Sequence, residues 1–223
     1  MRVLAISAHQ DDETLGCGGT LLSHRLAGDE LFWLILTKAH APRWNQDFIQ
    51  REEEDVQRVA EAFGMAECFR PGLPATHLDF LPLNEIITPV RETIEKIHPE
   101  TIYTVFPGDI HTDHQAVFEA TSIVLKTFAM KPLGVRRLLC FECLSSTDAA
   151  PQMLGRVFAP NVFRDIGQHL ERKIEIMNLY STQMQQGSMP RTESAIRALA
   201  RLRGASIGVE YAEAFMLVRE VVF

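Results

Sequence analysis

Apolar and polar stretches alternate along the chain in a way that reads as strands interleaved with helices. Val3 to Ala8 is an almost unbroken apolar run, the pattern of a strand buried on both faces. A polar turn, His9 to Asp12, follows, and then a segment from about Glu13 to Ala27 that predicts a helix closed by Gly28-Asp29. Leu31 to Thr37 repeats the buried-strand pattern. Strand, helix and strand within about 35 residues make a βαβ unit with a right-handed crossover. After a polar loop from Lys38 to Asn45, the residues from Asp47 to Phe63 predict a helix ended by Gly64, and Cys68 to Phe69 a short strand. Pro71 to Leu81 is rich in Pro and Gly and predicts irregular chain. The rest reads as a helix over Glu85 to His98, a strand over Thr101 to Phe106, a loop over Pro107 to His111 and a helix over Asp113 to Ala129. Strands over Arg137 to Cys143 and Val162 to Ile166, helices over Gln168 to Tyr180 and Glu193 to Arg203, and a strand over Ala214 to Val222 complete it. This order predicts one domain over residues 1–223: an α/β, Rossmann-like fold with a mainly parallel sheet and helices on both faces.

Composition narrows the function classes. The 223 residues carry a net charge of -7 with no basic run, which argues against holding a nucleic-acid backbone by bulk attraction. No apolar stretch approaches the roughly 20 residues of a membrane span. The first apolar run stops at His9, too early for a signal peptide, so a cytoplasmic protein is expected. Four cysteines are too few and too scattered for a disulfide scaffold. Cys140 and Cys143 form a C-x-x-C, but along a strand they point to opposite faces and read as packing residues.

Two polar clusters follow apolar strands, where open α/β sheets place their ligands. The first is Ala8-His9-Gln10-Asp11-Asp12-Glu13 and the second His111-Thr112-Asp113-His114. His and carboxylate donors suit a catalytic Zn²⁺, which takes three protein ligands and keeps a fourth position for water. Of two adjacent aspartates, one can ligate while the other faces the water as general base, Asp12 and Asp11 in some order. The second cluster offers a third ligand and a spare imidazole, which Asp113 can orient or hold charged. Capping is the plainer reading of an aspartate before a helix, but two His-Asp clusters at strand ends ask for more. Leu15-Gly16-Cys17-Gly18-Gly19 misses the G-x-G-x-x-G pattern, since Leu21 stands at its third glycine. Small residues there are expected to let the helix approach the sheet.

With these residues the chain resembles the LmbE/PIG-L family of zinc-dependent N-acetylglucosamine deacetylases, whose first motif usually reads Ala-His-Pro-Asp-Asp-Glu. The likeness continues through Arg51-Glu52-Glu53-Glu54, through Lys173 with Tyr180-Ser181-Thr182-Gln183, and through Tyr211-Ala212-Glu213-Ala214-Phe215. The resemblance implies His9, Asp12 and His114 as ligands of Zn²⁺ and Asp11 as the base that activates a zinc-bound water. It implies protonated His111 as electrophile or general acid, with Asp113 setting its charge, and Arg51 as a contact to the sugar. His40, in the loop after the second strand, is a further candidate for substrate contact. Gln10 stands where the family has Pro and is expected to loosen the turn. The donor set also admits Fe²⁺ in place of Zn²⁺.

The function implied is hydrolysis of an N-acetyl or other N-acyl group from an amino-sugar-containing small molecule. Self-association of related folds points toward a homo-oligomer. Two other readings fit the same clusters: a two-metal phosphoesterase and a non-catalytic sugar- or nucleotide-binding module.

Overall fold

The computed structural model describes residues 1–151 and 156–223. The opening unit is β1 (Arg2–Ser7), α1 (Asp12–Leu26) and β2 (Glu30–Ile35), with the two strands parallel and Val3 opposite Leu31. Then come β3 (Thr37–Lys38), α2 (Gln46–Phe63), β4 (Glu67–Phe69), β5 (Leu73–Pro74), α3 (Leu83–Ile97) and β6 (Thr101–Thr104). The chain continues through α4 (Thr112–Val124), α5 (Thr127–Met130), β7 (Arg137–Phe141) and β8 (Val162–Asp165). It closes with α6 (Leu170–Met177), α7 (Glu193–Ala205) and β9 (Ala212–Glu220).

Among the described residues, seven strands form one sheet in the order β4-β2-β1-β6-β7-β9-β8. The first five are parallel, and β9 runs antiparallel to both β7 and β8. The chain steps outward from β1 through β2 to β4, then crosses back to lay β6 on the other side of β1. That reversal opens a crevice beyond the carboxyl ends of β1 and β6, where the two polar clusters lie. One apolar cluster runs through the sheet and its flanking helices. Among the described residues no helix is long and apolar enough to cross a membrane.

Three local departures from the periodicity have physical reasons. The helix expected over Asp113 to Ala129 breaks after Leu125, where Lys126 turns extended (φ -53°, ψ 144°). Leu125 and Met130 are both fully buried, and on one straight helix they would point about 140° apart. The break lets both reach the core. The segment from Pro71 to Leu81 is more ordered than its composition suggests: β5 pairs with β3, and a 3₁₀ turn at Leu78–Phe80 buries Leu78.

The third departure is in α1, which breaks at Cys17 (φ -140°, ψ 17°). A break exposes helical N–H and C=O groups that need partners. Glu213 on β9 accepts from the backbone N–H of Gly19 and Thr20 at 2.8 and 2.7 Å. Lys173 on α6 donates to the Leu15 carbonyl at 2.8 Å and pairs with Glu213 at 2.7 Å. This buried ion pair splints the break from both sides. The glycines beside it do what their size suggests. A Cβ at Gly16 would lie 2.0 Å from the Phe141 ring, and one at Gly19 2.8 Å from Ile166.

Candidate metal centre

The end of β1 delivers His9, Gln10, Asp11 and Asp12 into the crevice. Asp11 precedes α1 in a left-handed conformation (φ 96°) and makes no capping bond with its side chain. A non-glycine residue held there costs about 1–3 kcal/mol and is a mark of functional sites. The backbone thus aims the Asp11 carboxylate into the pocket instead of along the helix. Asp12, the first helical residue, accepts the His9 N–H on Oδ2 at 2.8 Å. The loop after β6 brings His111 to the start of α4 and His114 one turn further on.

His9, Asp12 and His114 offer ligand atoms within 4.8 Å of one another. Each imidazole is held from behind by a carboxylate. His9 Nε2 meets Asp113 Oδ2 at 2.9 Å, which leaves Nδ1 facing Asp12 Oδ2 at 3.8 Å. His114 Nδ1 meets Asp109 Oδ2 at 2.7 Å, which leaves Nε2 at 3.3 Å from Asp12 Oδ1. Such outer-shell carboxylates fix the tautomer and raise the basicity of metal-binding histidines. Two imidazole nitrogens and a carboxylate, oriented in this way and open to a pocket, fit a catalytic divalent metal.

The pocket has a volume of about 360 Å³, and all of His9, Asp11, Asp12, His111 and His114 line it. Burial, and then the charge of Asp12, push the Asp11 carboxyl up to about 7 against the pull of Arg191. Asp12 goes the other way: although burial opposes it, His114 and His9 hold its carboxyl well below the usual range. Burial and the neighbouring imidazoles of His9 and His114 hold His111 down at about 4. His111 therefore sits in the pocket as a neutral ring, where the sequence reading expects an imidazolium. Its Nδ1 accepts the Asp113 N–H at 3.2 Å, so the proton resides on Nε2.

Asp113 also acts differently from expectation. Its carboxylate lies on His9 and not on His111, and it clamps the segment after β5 by accepting from Thr76 and Leu78 N–H at 2.6 and 3.0 Å. Only its backbone N–H touches His111.

The two expected substrate contacts lie elsewhere. Arg51 is on the exposed face of α2, outside the pocket lining, while its neighbour Glu52 is buried and lines it. Asp55, the ion-pair partner that the helix spacing offers Arg51, pairs with Arg58 and accepts from Ser181. His40 is exposed, bonds the Gly72 carbonyl at 3.0 Å, and is also absent from the lining. Gln10 is buried in the lining, and neither of its amide atoms has a partner among the described residues.

Several groups were not legible from the motifs. Asp109 orients His114 and accepts from Thr147 Oγ1 at 2.6 Å; an acidic residue just past a strand end was its one signal. Arg191 reaches Asp11 Oδ2 at 2.9 Å and Gln183 Oε1 at 3.0 Å. It stands in a loop between α6 and α7, and nothing in its sequence neighbourhood marks it. Cys143 is buried as expected, but its thiol lies 3.5 Å from Asp12 Oδ1 and it lines the pocket. Glu13 is buried beneath the site and accepts the Tyr180 hydroxyl at 2.7 Å; burial raises its carboxyl to about 8.

Known proteins resemble the chain over these same elements. A probable N-acetyl-alpha-D-glucosaminyl L-malate deacetylase 2 of Bacillus anthracis is 23% identical over 190 residues, 81% of this chain and 80% of that one. The diacetylchitobiose deacetylase of Thermococcus kodakarensis is 25% identical over 229 residues, 97% of this chain and 83% of that one. The fold matches that of a conserved protein of Thermus thermophilus with a TM-score of 0.78 at 21% identity, covering 99% of this chain and 96% of the other. The profile of the PIG-L family, described as GlcNAc-PI de-N-acetylase, matches residues 4–125, the stretch that runs from β1 through α4 and carries both polar clusters. On that match, the chain belongs to the PIG-L de-N-acetylase family.

Proposed function

We propose that this protein is a metal-dependent N-deacetylase acting on a substrate that contains N-acetylglucosamine or a related N-acyl amino sugar. The observation that carries this reading is the meeting, in one pocket of a PIG-L family chain, of the His9–Asp12–His114 donor set with Asp11 and His111. The named relatives are deacetylases of N-acetylglucosaminyl and chitobiose compounds, which supports the substrate class.

His9, Asp12 and His114 would hold the metal, with zinc as the family's usual ion. Bound there, Zn²⁺ supplies Lewis acidity toward the amide carbonyl and makes a neighbouring water more acidic. Asp11, free of helix capping, accepts the proton of the attacking water. A pKa near 7 suits a group that takes a proton and returns it. The returned proton goes to the nitrogen of the breaking C–N bond, so that acetate and a free amine leave. His111, with Nδ1 occupied, directs Nε2–H at the carbonyl oxygen as negative charge builds there. Arg191 keeps the Asp11 carboxylate turned into the pocket.

A two-metal phosphoesterase has less support. The second donor group, His9, His111 and Asp113, shares His9 with the first. Both Asp113 oxygens are already taken by backbone N–H groups.

The test is release of acetate and free amine by zinc-loaded protein from a panel of N-acetylated amino sugars and their conjugates, with His114→Ala alongside. Turnover that disappears in the variant is the expected result. No turnover across the panel with metal content verified overturns the reading. Parallel loading with Fe²⁺ under anaerobic conditions identifies the metal that supports the higher rate.

A further inference from the structure

One wall of the pocket comes from a single stripe of sequence. Phe48 and Glu52 are spaced by four on one face at the start of α2, Trp44 stands in the bend just before that helix, and all three line the pocket. The Trp44 and Phe48 rings are stacked, with centroids 6.3 Å apart and planes at 23°. Glu52 is 7% exposed, and its Oε2 accepts the Ala39 N–H at 3.0 Å. The nearby cations do not pair with it: Lys38 and Arg70 both go to Glu53. A carboxylate has about four acceptor sites, and burying one with a single backbone bond is unfavourable unless further donors arrive. Gln10, whose buried amide has no partner among the described residues, lines the same pocket.

The charge of the lining points the same way. Asp11, Asp12 and Glu52 are its carboxylates. Among the described residues Arg191 is its one Lys or Arg, already engaged with Asp11 and Gln183. An anionic group placed against α2 would meet Glu52, since the lining cation Arg191 is already engaged and Arg43, whose guanidinium carbon stands 4.9 Å from the Trp44 ring centroid, lies outside the lining.

We infer that Glu52 and Trp44 form the sugar subsite, with Glu52 accepting hydrogen bonds from ring hydroxyls and Trp44 packing on the ring's apolar face, so that the substrate presents a neutral, hydroxyl-rich ring there. The inference rests on the deacetylase reading and adds what part of the sugar is read and by which side chains. It moves recognition from Arg51, which suits an anion, to its neighbour Glu52, which suits hydroxyl donors and excludes uronic acids and sugar phosphates at this wall.

The test uses the zinc-loaded full chain with N-acetylglucosamine glycosides, their 3-, 4- and 6-deoxy analogues, and an N-acetylated uronic acid. Loss of a charged hydrogen bond predicts that Glu52→Ala raises KM about 10–100-fold, with kcat held within about threefold. Glu52→Gln, which preserves the volume and the bond to Ala39, falls between. At least one deoxy sugar shows the same KM penalty with wild type and no added penalty with Glu52→Ala. A fall in kcat at unchanged KM, equal losses for every deoxy sugar in both proteins, or equal turnover of the uronic acid overturns the inference.

Calorimetric binding of free glucosamine separates this inference from the activity it rests on. If no N-acetyl sugar turns over but glucosamine binds wild type and is lost with Glu52→Ala, the deacetylase reading fails and the subsite stands. If glucosamine binds both alike, or does not bind wild type, the subsite fails whatever the turnover.

Discussion

Asp11, Asp12, His111 and His114 stand at two neighbouring strand ends within the stretch that the family profile matches. Lys173, Tyr180, Arg191 and Glu213 come from the last third of the chain, and each touches a residue of the β1–α1 turn or of α1 itself. The first group holds donors of the proposed metal set and the proposed base and electrophile. The second holds no donor of the proposed metal set; it fixes the backbone and the carboxylates on which the first group depends. Motifs therefore concentrate in the first region, because bond-making chemistry demands particular residue types at particular spacings. Support demands only a contact in the right place, and many sequences supply one.

This division predicts effects of different kinds. The largest should come from the donors. Removing the metal by chelation, or replacing His114 with Ala, is expected to bring acetate release to background, with activity restored by added Zn²⁺ only in the chelated wild type. Asp11→Asn should keep its metal and lose about 10²–10⁴-fold in kcat. A normal rate in that variant would remove the base from the chemistry and blur the comparison.

The supporting region should respond in stability before rate. Lys173→Met leaves Glu213 buried and unpaired, and should cost about 3–5 kcal/mol of unfolding free energy in denaturant titrations. Replacing both partners, Lys173→Met with Glu213→Leu, should recover part of that loss, though the N–H groups of Gly19 and Thr20 then lack their acceptor. Arg191→Ala is the intermediate case, since Arg191 pairs directly with Asp11, the proposed base. A drop in kcat of about 10-fold at unchanged metal content is expected, with Arg191→Lys restoring part. If Arg191→Ala instead lost its metal, the residue would belong with the donors and the line between the two regions would need redrawing.

The smallest effect lies far from the pocket. His24 is buried against Asp29 and Tyr103, at 2.7 and 3.0 Å, and burial lowers its pKa below the usual 6.5. The unfolded chain thus takes up this proton before the folded one. Its contribution to stability is complete above about 6.5 and is lost as the pH falls below that value. His24→Gln should flatten the pH dependence of stability in that window and leave turnover unchanged.

Much of the fold was legible because buried strands and capped helices leave local marks. The five parallel strands, the first crossover and both polar clusters follow from apolar runs and the turns that end them. The choice between Arg51 and Glu52 was a question of helix phase: the two point about 100° apart. Phase was recoverable from the sequence, since mixed steps of four and three back from Phe63 run through Val59, Val56 and Glu52 to Phe48 and pass over Arg51. The resemblance to a family arginine outweighed that signal. Asp109 and Arg191 carried no comparable mark. Their roles depend on where distant segments pack, and no local periodicity records that. The neutral state of His111 was hidden for a related reason, because it follows from burial beside two other rings.

The splint across the break in α1 also bears on how the chain acquires its site during synthesis. Gly19 and Glu213 are 194 residues apart, and Leu15 and Lys173 are 158 apart. Both clusters of donors leave the ribosome long before β9 exists to close the sheet. A chain trimmed behind α7 would carry all three proposed ligands on an α1 whose Gly19 and Thr20 N–H groups have lost their acceptor, Glu213. Such a fragment should bind metal weakly and be cut first near Cys17. The last strand thus ties the order of the proposed metal-binding turn to Glu213, which stands 194 residues beyond Gly19.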